Sequence, residues 1–132
     1  MDQKISTGLK YTFLAHAIMM GMFALVYLFL PVLWGNLTGC LSNKVPQVFR
    51  LFGTSLLGYA IGSTLAYRET AWENVKIWTQ MACITHIVFL VIILLALLFW
   101  ELPTIGWMYF VVITGFGIAF NIFYPHKVEQ SR

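Results

Sequence analysis

Apolar runs long enough to cross a lipid bilayer are the feature of this sequence that most limits its fold. They cover about residues 11–33, 48–67, 77–100 and 102–124. A helix rises about 1.5 Å per residue, so about 20 residues cross a hydrocarbon core of about 30 Å. None of the runs carries an acidic side chain in its middle. Because backbone polar groups must be satisfied inside lipid, each run is predicted to be a transmembrane helix.

Composition agrees with a membrane location. Of the 132 residues, 60% are apolar and 10% are charged, whereas a soluble domain carries about 25% charged residues. So few charges cannot cover a water-facing surface, which excludes a soluble globule and a disordered chain. The net charge of +3 is scattered, so no nucleic acid partner is predicted. We predict an all-α polytopic membrane protein whose single integral domain, residues 1–132, is a bundle of four transmembrane helices.

The distribution of lysine and arginine predicts the orientation of this bundle. With four spans, both termini lie on one side, which holds Lys4, Lys10, Arg68, Lys76, Lys127 and Arg132. The opposite side holds Lys44 and Arg50. Cytoplasmic loops keep the excess of basic residues, so both termini are predicted to be cytoplasmic. Residues near the predicted span ends are the expected interface anchors: Trp34, Arg50, Trp72, Trp78, Trp100 and Trp107.

Small residues at a spacing of four predict the surfaces through which the helices pack, since helices in lipid associate closely at such residues. The predicted packing residues are Thr54, Gly58, Gly62 and Ala66 of the second span and Ala17 and Gly21 of the first. Spans two and four carry most of the small residues and are expected at the centre of the bundle. The face on span two either packs within one bundle or receives a second chain.

Two histidines lie at predicted membrane depth, where ionisable residues are functional candidates by default. His16 in the first span and His86 in the third share one leaflet in the predicted topology, each on a heptad-like stripe. Two imidazoles on different helices meet the minimal requirement for haem ligation, and one can hold the magnesium of a chlorin. A neutral histidine that hydrogen-bonds a neighbouring helix explains each residue without a cofactor. No cofactor is therefore predicted, and haem or chlorin binding at His16 and His86 is the alternative.

Familiar catalytic motifs are missing from the sequence. It has no Gly-Lys-Ser/Thr phosphate loop, no His-Glu-x-x-His and no Gly-x-Ser-x-Gly. Cys40 and Cys83 fall in different predicted environments and form no Cys-x-x-Cys pair. We predict no catalytic residue and no metal site. The chain is not expected to be an enzyme, although a subunit of an enzyme complex stays open.

The segment Pro46-x-x-x-Arg50-x-x-Gly53-x-x-x-x-Gly58 enters the second span after a glycine-rich loop. This arrangement resembles small uncharacterised four-span membrane proteins of bacteria and archaea. The resemblance covers about half of the chain and implies a topology but no activity. The expected location is the plasma membrane of a prokaryote.

A non-catalytic accessory or structural subunit of a larger membrane complex, of the respiratory, photosynthetic or oxidase type, is the expected function. Short loops and the glycine-rich face of the second span motivate this expectation. Its expected partners are the lipid bilayer and other membrane subunits, with homo-oligomerisation left open. The alternatives are a haem- or chlorin-binding subunit and a small homo-oligomeric channel or transporter.

Overall fold

A computed structural model describes residues 3–39, 46–99 and 105–125. These residues form five α-helices: α1 (Thr7–Phe29), α2 (Pro31–Thr38), α3 (Pro46–Arg68), α4 (Trp72–Phe99) and α5 (Ile105–Phe123). Within the described ranges, α1, α4 and α5 are long and apolar enough to cross a membrane. The all-helical class is thus confirmed, and three helices have the length and the apolar composition that a membrane span requires. Helix α3 is as long as α1 but less apolar, because it carries Arg50 and several hydroxyl side chains.

Helix α1 begins and ends before the predicted span of residues 11–33. The Ser6 hydroxyl caps its N-terminus by accepting a hydrogen bond from the N–H of Leu9 at 3.2 Å. Its last turn closes where the Leu30 N–H donates to the Val26 carbonyl at 2.8 Å. Pro31 cannot continue α1, since it lacks an N–H, but it suits the first turn of α2. The residues predicted to end the first span and begin a loop therefore include a separate short helix.

The long helices form two pairs, α1 with α3 and α4 with α5. Glycine allows the first pair to approach closely, because a Cβ at Gly53 would lie 2.9 Å from Cβ of Tyr27. A Cβ at Gly21 would lie 3.8 Å from Cβ of Ala60, so this part of α1 faces α3 as well. Spans two and four, which were expected together at the centre, are therefore not each other's main partners.

Two apolar clusters fill the bundle at different levels. One lies at the end that holds Trp72, here called the Trp72 end, and contains Leu9, Phe13, Ala66, Trp72, Val75, Ala82 and Phe120. The other lies toward the opposite end, the Trp34 end, and contains Met20, Ala24, Tyr27, Leu56 and Ala60. The N-terminal segment closes the Trp72 end, because the Trp72 N–H donates to the Gln3 carbonyl at 2.8 Å.

The predicted packing residues of α3 fall into two groups. Ala66 is buried, and a Cβ at Gly62 would overlap the ring of Trp78 on α4. Thr54 and Gly58 are exposed, and a Cβ at Gly58 would meet nothing within 4 Å. The stripe is therefore divided between contacts within the bundle and an open surface.

The predicted interface anchors also differ in their surroundings. Trp107 is 57% exposed, and Arg50 is exposed at the Trp34 end. Trp72 is a core residue, 2% exposed, whose ring meets that of Tyr124 edge-on at 5.3 Å. Trp34 and Trp78 are half-buried. Trp100 lies outside the described residues, and a role at the membrane surface stays a prediction for all of these side chains.

Candidate functional site

The structure brings His16 of α1 and His86 of α4 together between the two helix pairs. Their ring centroids lie 5.2 Å apart, with the ring planes at 60°. Both side chains are buried, with exposed fractions of 1% and 4%. Phe116 and Phe120 of α5 enclose them, at 4.9 and 5.4 Å from the centroid of the His16 ring. The two stripes recognised in the sequence thus face the same interior volume.

The protein engages the Nδ1 atom of each imidazole. Nδ1 of His86 lies 2.7 Å from the Ala82 carbonyl oxygen, one helical turn earlier. Because a carbonyl oxygen only accepts, Nδ1 of His86 is the donor, and Nε2 of the neutral ring carries no proton. Nδ1 of His16 lies 2.7 Å from Oγ of Ser63 on α3. In each ring, Nε2 is therefore the nitrogen left for a ligand.

The buried hydroxyl of Ser63 bears on the tautomer of His16. Within the described part of the chain, the one acceptor within reach of this hydroxyl is Nδ1 of His16. A buried hydroxyl whose proton has no acceptor is destabilising, because the hydrogen bond that it made to water is lost and not replaced. We therefore assign Ser63 as the donor to Nδ1, which places the proton of the neutral His16 ring on Nε2. In this assignment His16 offers a donor at Nε2, whereas His86 offers an acceptor.

A cavity of about 270 Å³ lies beside the histidines and is lined by all four long helices. Apart from His16 and His86, the lining is largely aliphatic and aromatic: Met20, Phe23, Tyr27, Phe52, Leu56, Tyr59, Thr85, Phe89, Ile92, Ile93, Ala96, Tyr109, Val112 and Ile113. Small-molecule pockets begin at about 300 Å³, so this cavity suits a compound with a single ring. A tetrapyrrole would require the helices to separate, and haem or chlorin binding stays a prediction.

Packed aromatic side chains bound the cavity toward both ends of the bundle. At the Trp34 end, the Tyr109 hydroxyl accepts a hydrogen bond from Nε1 of Trp34 at 3.0 Å and is also hydrogen-bonded to the Tyr27 hydroxyl. Toward the Trp72 end, the ring centroids of Phe13 and Phe120 lie 5.5 Å apart next to the histidines. Among the described residues, packed aromatic side chains therefore lie between the imidazoles and each end of the bundle.

The exposed residues of the cavity lining lie on α3 and α4. Tyr59 donates to Thr85 at 3.3 Å, and the Trp78 ring lies over Gly62, so these helices meet on the side of the Trp72 end. Closer to the Trp34 end, Phe52 and Ile92 line the cavity and are 42% and 53% exposed. On this side the lining of the cavity therefore reaches the surface of the bundle.

Sequence reasoning selected both histidines but did not select Ser63 or Tyr109 as functional residues. Ser63 lies on the buried face of α3, with Gly53, Leu56, Ala60 and Ala66. A hydroxyl in such an otherwise apolar set was the available signal, since a buried polar group needs a partner. Tyr109 offered no comparable signal, because its partners come from α1 and α2.

The described residues contain no group of three or more His, Cys, Asp or Glu side chains that could hold a metal ion. The recognisable chemistry of the site is therefore hydrogen bonding by two imidazoles beside an apolar cavity. Cys83, on the same helix as His86, is half-buried and has no disulfide partner among the described residues.

Fold and site together define a class, a helical integral membrane protein with an apolar cavity inside its bundle. No family model, curated protein or solved structure matches this chain. The resemblance to small four-span proteins of bacteria and archaea stays an expectation. The function is therefore inferred from the geometry of the site.

Proposed function

We propose that this protein binds a small lipophilic molecule in the cavity beside His16 and His86. The observation that carries the proposal is an apolar cavity beside a buried pair of imidazoles, whose lining reaches the surface of the bundle on α3 and α4. A concave, largely apolar pocket with a few polar groups is the usual form of a small-molecule site. A ligand dissolved in the bilayer reaches the cavity without crossing water.

The proposal includes a four-span topology with both termini cytoplasmic, in the plasma membrane of a prokaryote. Helix α3 packs along α1, so it crosses the bilayer with α1 despite its polar residues. The described basic residues at the Trp72 end are Lys4, Lys10, Arg68 and Lys76, whereas Arg50 lies at the Trp34 end. Lys44, Lys127 and Arg132 lie outside the described residues. A fluorescent protein fused after Arg132 should fluoresce, whereas alkaline phosphatase fused there should be inactive; the reverse would contradict this orientation.

Photolabelling tests the ligand site directly. The probe is a propylbenzene that carries a diazirine, applied to membranes containing the full chain. Labelling that unlabelled propylbenzene displaces should fall on cavity residues such as Phe52, Tyr59 and Phe89. Ala96→Leu fills part of the cavity and should reduce this labelling at least about tenfold, because an overpacked pocket excludes the ligand. Ala15→Leu, at an exposed position of α1 that lines a separate groove between α1 and α5, is the matched control and should leave the labelling of these cavity residues unchanged.

Displaceable labelling is the decisive measurement, because any lipophilic probe also labels lipid-facing side chains. If no cavity residue shows displaceable labelling in the unmodified chain, the proposed ligand site is wrong. If Ala96→Leu and Ala15→Leu reduce labelling equally, the labelled site lies elsewhere.

The exposed face of α3 supports a second proposal, that the chain is a non-catalytic accessory subunit of a larger membrane complex. Thr54, Ser55 and Gly58 are exposed on a helix that is less apolar than α1, α4 and α5. Small residues favour close approach by another helix over contact with lipid chains. A transmembrane helix of another subunit therefore fits this face, and the two proposals are compatible.

Gentle extraction from native membranes, followed by mass spectrometry of co-purifying chains, tests the accessory role. Gly58→Leu should remove the co-purifying subunits, because it adds bulk to the proposed contact surface. Gly115→Leu is the matched control, since a Cβ at either glycine would meet nothing within 4 Å. Purification of the unmodified chain as a monomer, or only with further copies of itself, would contradict the accessory role.

A further inference from the structure

The geometry points to a ligand class: we propose that the cavity recognises the hydroxyl group of a lipophilic phenol or hydroquinone, held between His16 and His86. This inference rests on the proposed ligand-binding function and narrows it to one chemistry. It follows from the opposite tautomers of the two rings, from their separation and from the aromatic lining of the cavity.

Only a group that both donates and accepts satisfies the two imidazoles at once. The hydroxyl oxygen accepts a hydrogen bond from Nε2–H of His16, and the hydroxyl proton is donated to Nε2 of His86. An ether or carbonyl oxygen accepts but cannot donate, so it leaves Nε2 of His86 unpaired. An unpaired buried polar atom loses its hydration without compensation, which penalises such ligands.

The separation of the rings suits one bridging oxygen atom. Hydrogen bonds between nitrogen and oxygen have lengths of about 2.9 Å. The ring centroids lie 5.2 Å apart, which is less than twice the length of such a hydrogen bond, so one oxygen in the planes of both rings fits between two Nε2 atoms that face the cavity. The hydrogen bonds of the two Nδ1 atoms with Ser63 and Ala82 hold the rings in place. Neither of these partner residues lines the cavity.

The remainder of the cavity favours an aromatic ring with an alkyl substituent. Phe52, Tyr59 and Phe89 line it from α3 and α4, and aromatic rings pack favourably edge to face or offset against such side chains. Phe52 and Ile92 line the cavity and are exposed at the surface of the bundle, so a chain attached to the ring continues past them into the bilayer. The ligand thus places its hydroxyl at the imidazoles and its tail in lipid.

Three matched compounds test the inference by competition against the diazirine probe: para-propylphenol, its methyl ether and propylbenzene. The phenol should compete at a concentration at least about tenfold below that of the ether, equivalent to about 1.4 kcal/mol. The ether should compete no better than propylbenzene. In His86→Phe and in His16→Phe, the advantage of the phenol should disappear while competition by propylbenzene persists. Ala15→Leu should retain the advantage.

Each outcome separates this inference from the function on which it rests. Equal competition by the phenol and the ether in the unmodified chain overturns hydroxyl recognition but leaves lipophilic binding intact. Absence of competed labelling by all three compounds refutes the proposed function itself. Displacement of the probe by zinc ions alone, lost in both histidine variants, would assign the pair to metal binding and overturn the inference. The comparison of phenol with ether needs only the unmodified chain, so misfolding of a variant does not affect it.

Discussion

The imidazoles of His16 and His86 lie 5.2 Å apart, although α1 and α4 are not each other's main packing partners. His16 is hydrogen-bonded to Ser63 of α3, the helix that pairs with α1, whereas His86 is hydrogen-bonded to its own helix. The two rings therefore meet where the two helix pairs meet. Any shift of one pair against the other changes the distance between the rings, which couples the site to the packing of the whole bundle.

The two histidines should differ in tautomer. We expect the neutral His86 ring to carry its proton on Nδ1, because Ala82 supplies a carbonyl, and the neutral His16 ring to carry it on Nε2, because Ser63 donates to Nδ1. Nitrogen-15 NMR spectra of the chain in lipid bilayers distinguish these states. Ser63→Ala should change the His16 signals and leave those of His86 in place. The same tautomer in both rings of the unmodified chain would contradict the assignment.

Replacement of Ser63 should destabilise the protein. Ser63→Ala leaves Nδ1 of His16 buried without a partner, which we expect to lower the free energy of unfolding by about 1 to 3 kcal/mol. Ser55→Ala is the matched control on the same helix, because Ser55 is exposed and its hydroxyl donates to the Leu51 carbonyl one turn earlier. Its effect should stay within about 0.5 kcal/mol. Reversible unfolding in mixed detergent micelles measures both values, and equal effects would argue against a buried bond at Ser63.

Two glycines of α3 should respond oppositely to alanine. Gly62→Ala places a methyl group where the Trp78 ring lies, and we expect this overpacking to cost about 1 to 3 kcal/mol of unfolding free energy. Gly58→Ala meets nothing within 4 Å and should stabilise the helix by up to about 1 kcal/mol, since alanine has the higher helix propensity. Unfolding experiments on both variants provide the comparison. A stabilising Gly62→Ala would show that α3 and α4 do not meet at this point.

The Tyr109 hydroxyl should matter for stability more than that of an exposed tyrosine. Tyr109→Phe removes the acceptor of the Trp34 N–H and a partner of the Tyr27 hydroxyl, so we expect a loss of about 1 to 3 kcal/mol. Tyr11→Phe, at a position 64% exposed, is the control and should change the value by less than about 0.5 kcal/mol. Thermal unfolding followed by tryptophan fluorescence measures both. Indistinguishable variants would show that this network does not hold the Trp34 end together.

Hydropathy and length were sufficient to predict the all-helical class and the membrane-spanning character of the chain. Inside lipid, a backbone must satisfy its own hydrogen bonds, so an apolar run of sufficient length becomes a helix whatever its neighbours. The same local reasoning missed α2. Helix α1 ends and α2 begins at Leu30 and Pro31 because of the backbone geometry of these two residues. Hydropathy alone treats the apolar run of residues 11–33 as continuous.

The sequence by itself determined that the chain forms helices long and apolar enough to cross a membrane and that two of them carry a histidine well inside the helix. Only the tertiary structure decided that α3 packs on α1, that the rings of His16 and His86 meet, and that Ser63 and Ala82 are the partners of their Nδ1 atoms. Helix formation depends on residues within a few turns, whereas helix pairing depends on how side chains from distant segments fill shared volume. The cavity and the pair of imidazoles beside it depend on helix pairing, because residues from four separate helices line the cavity.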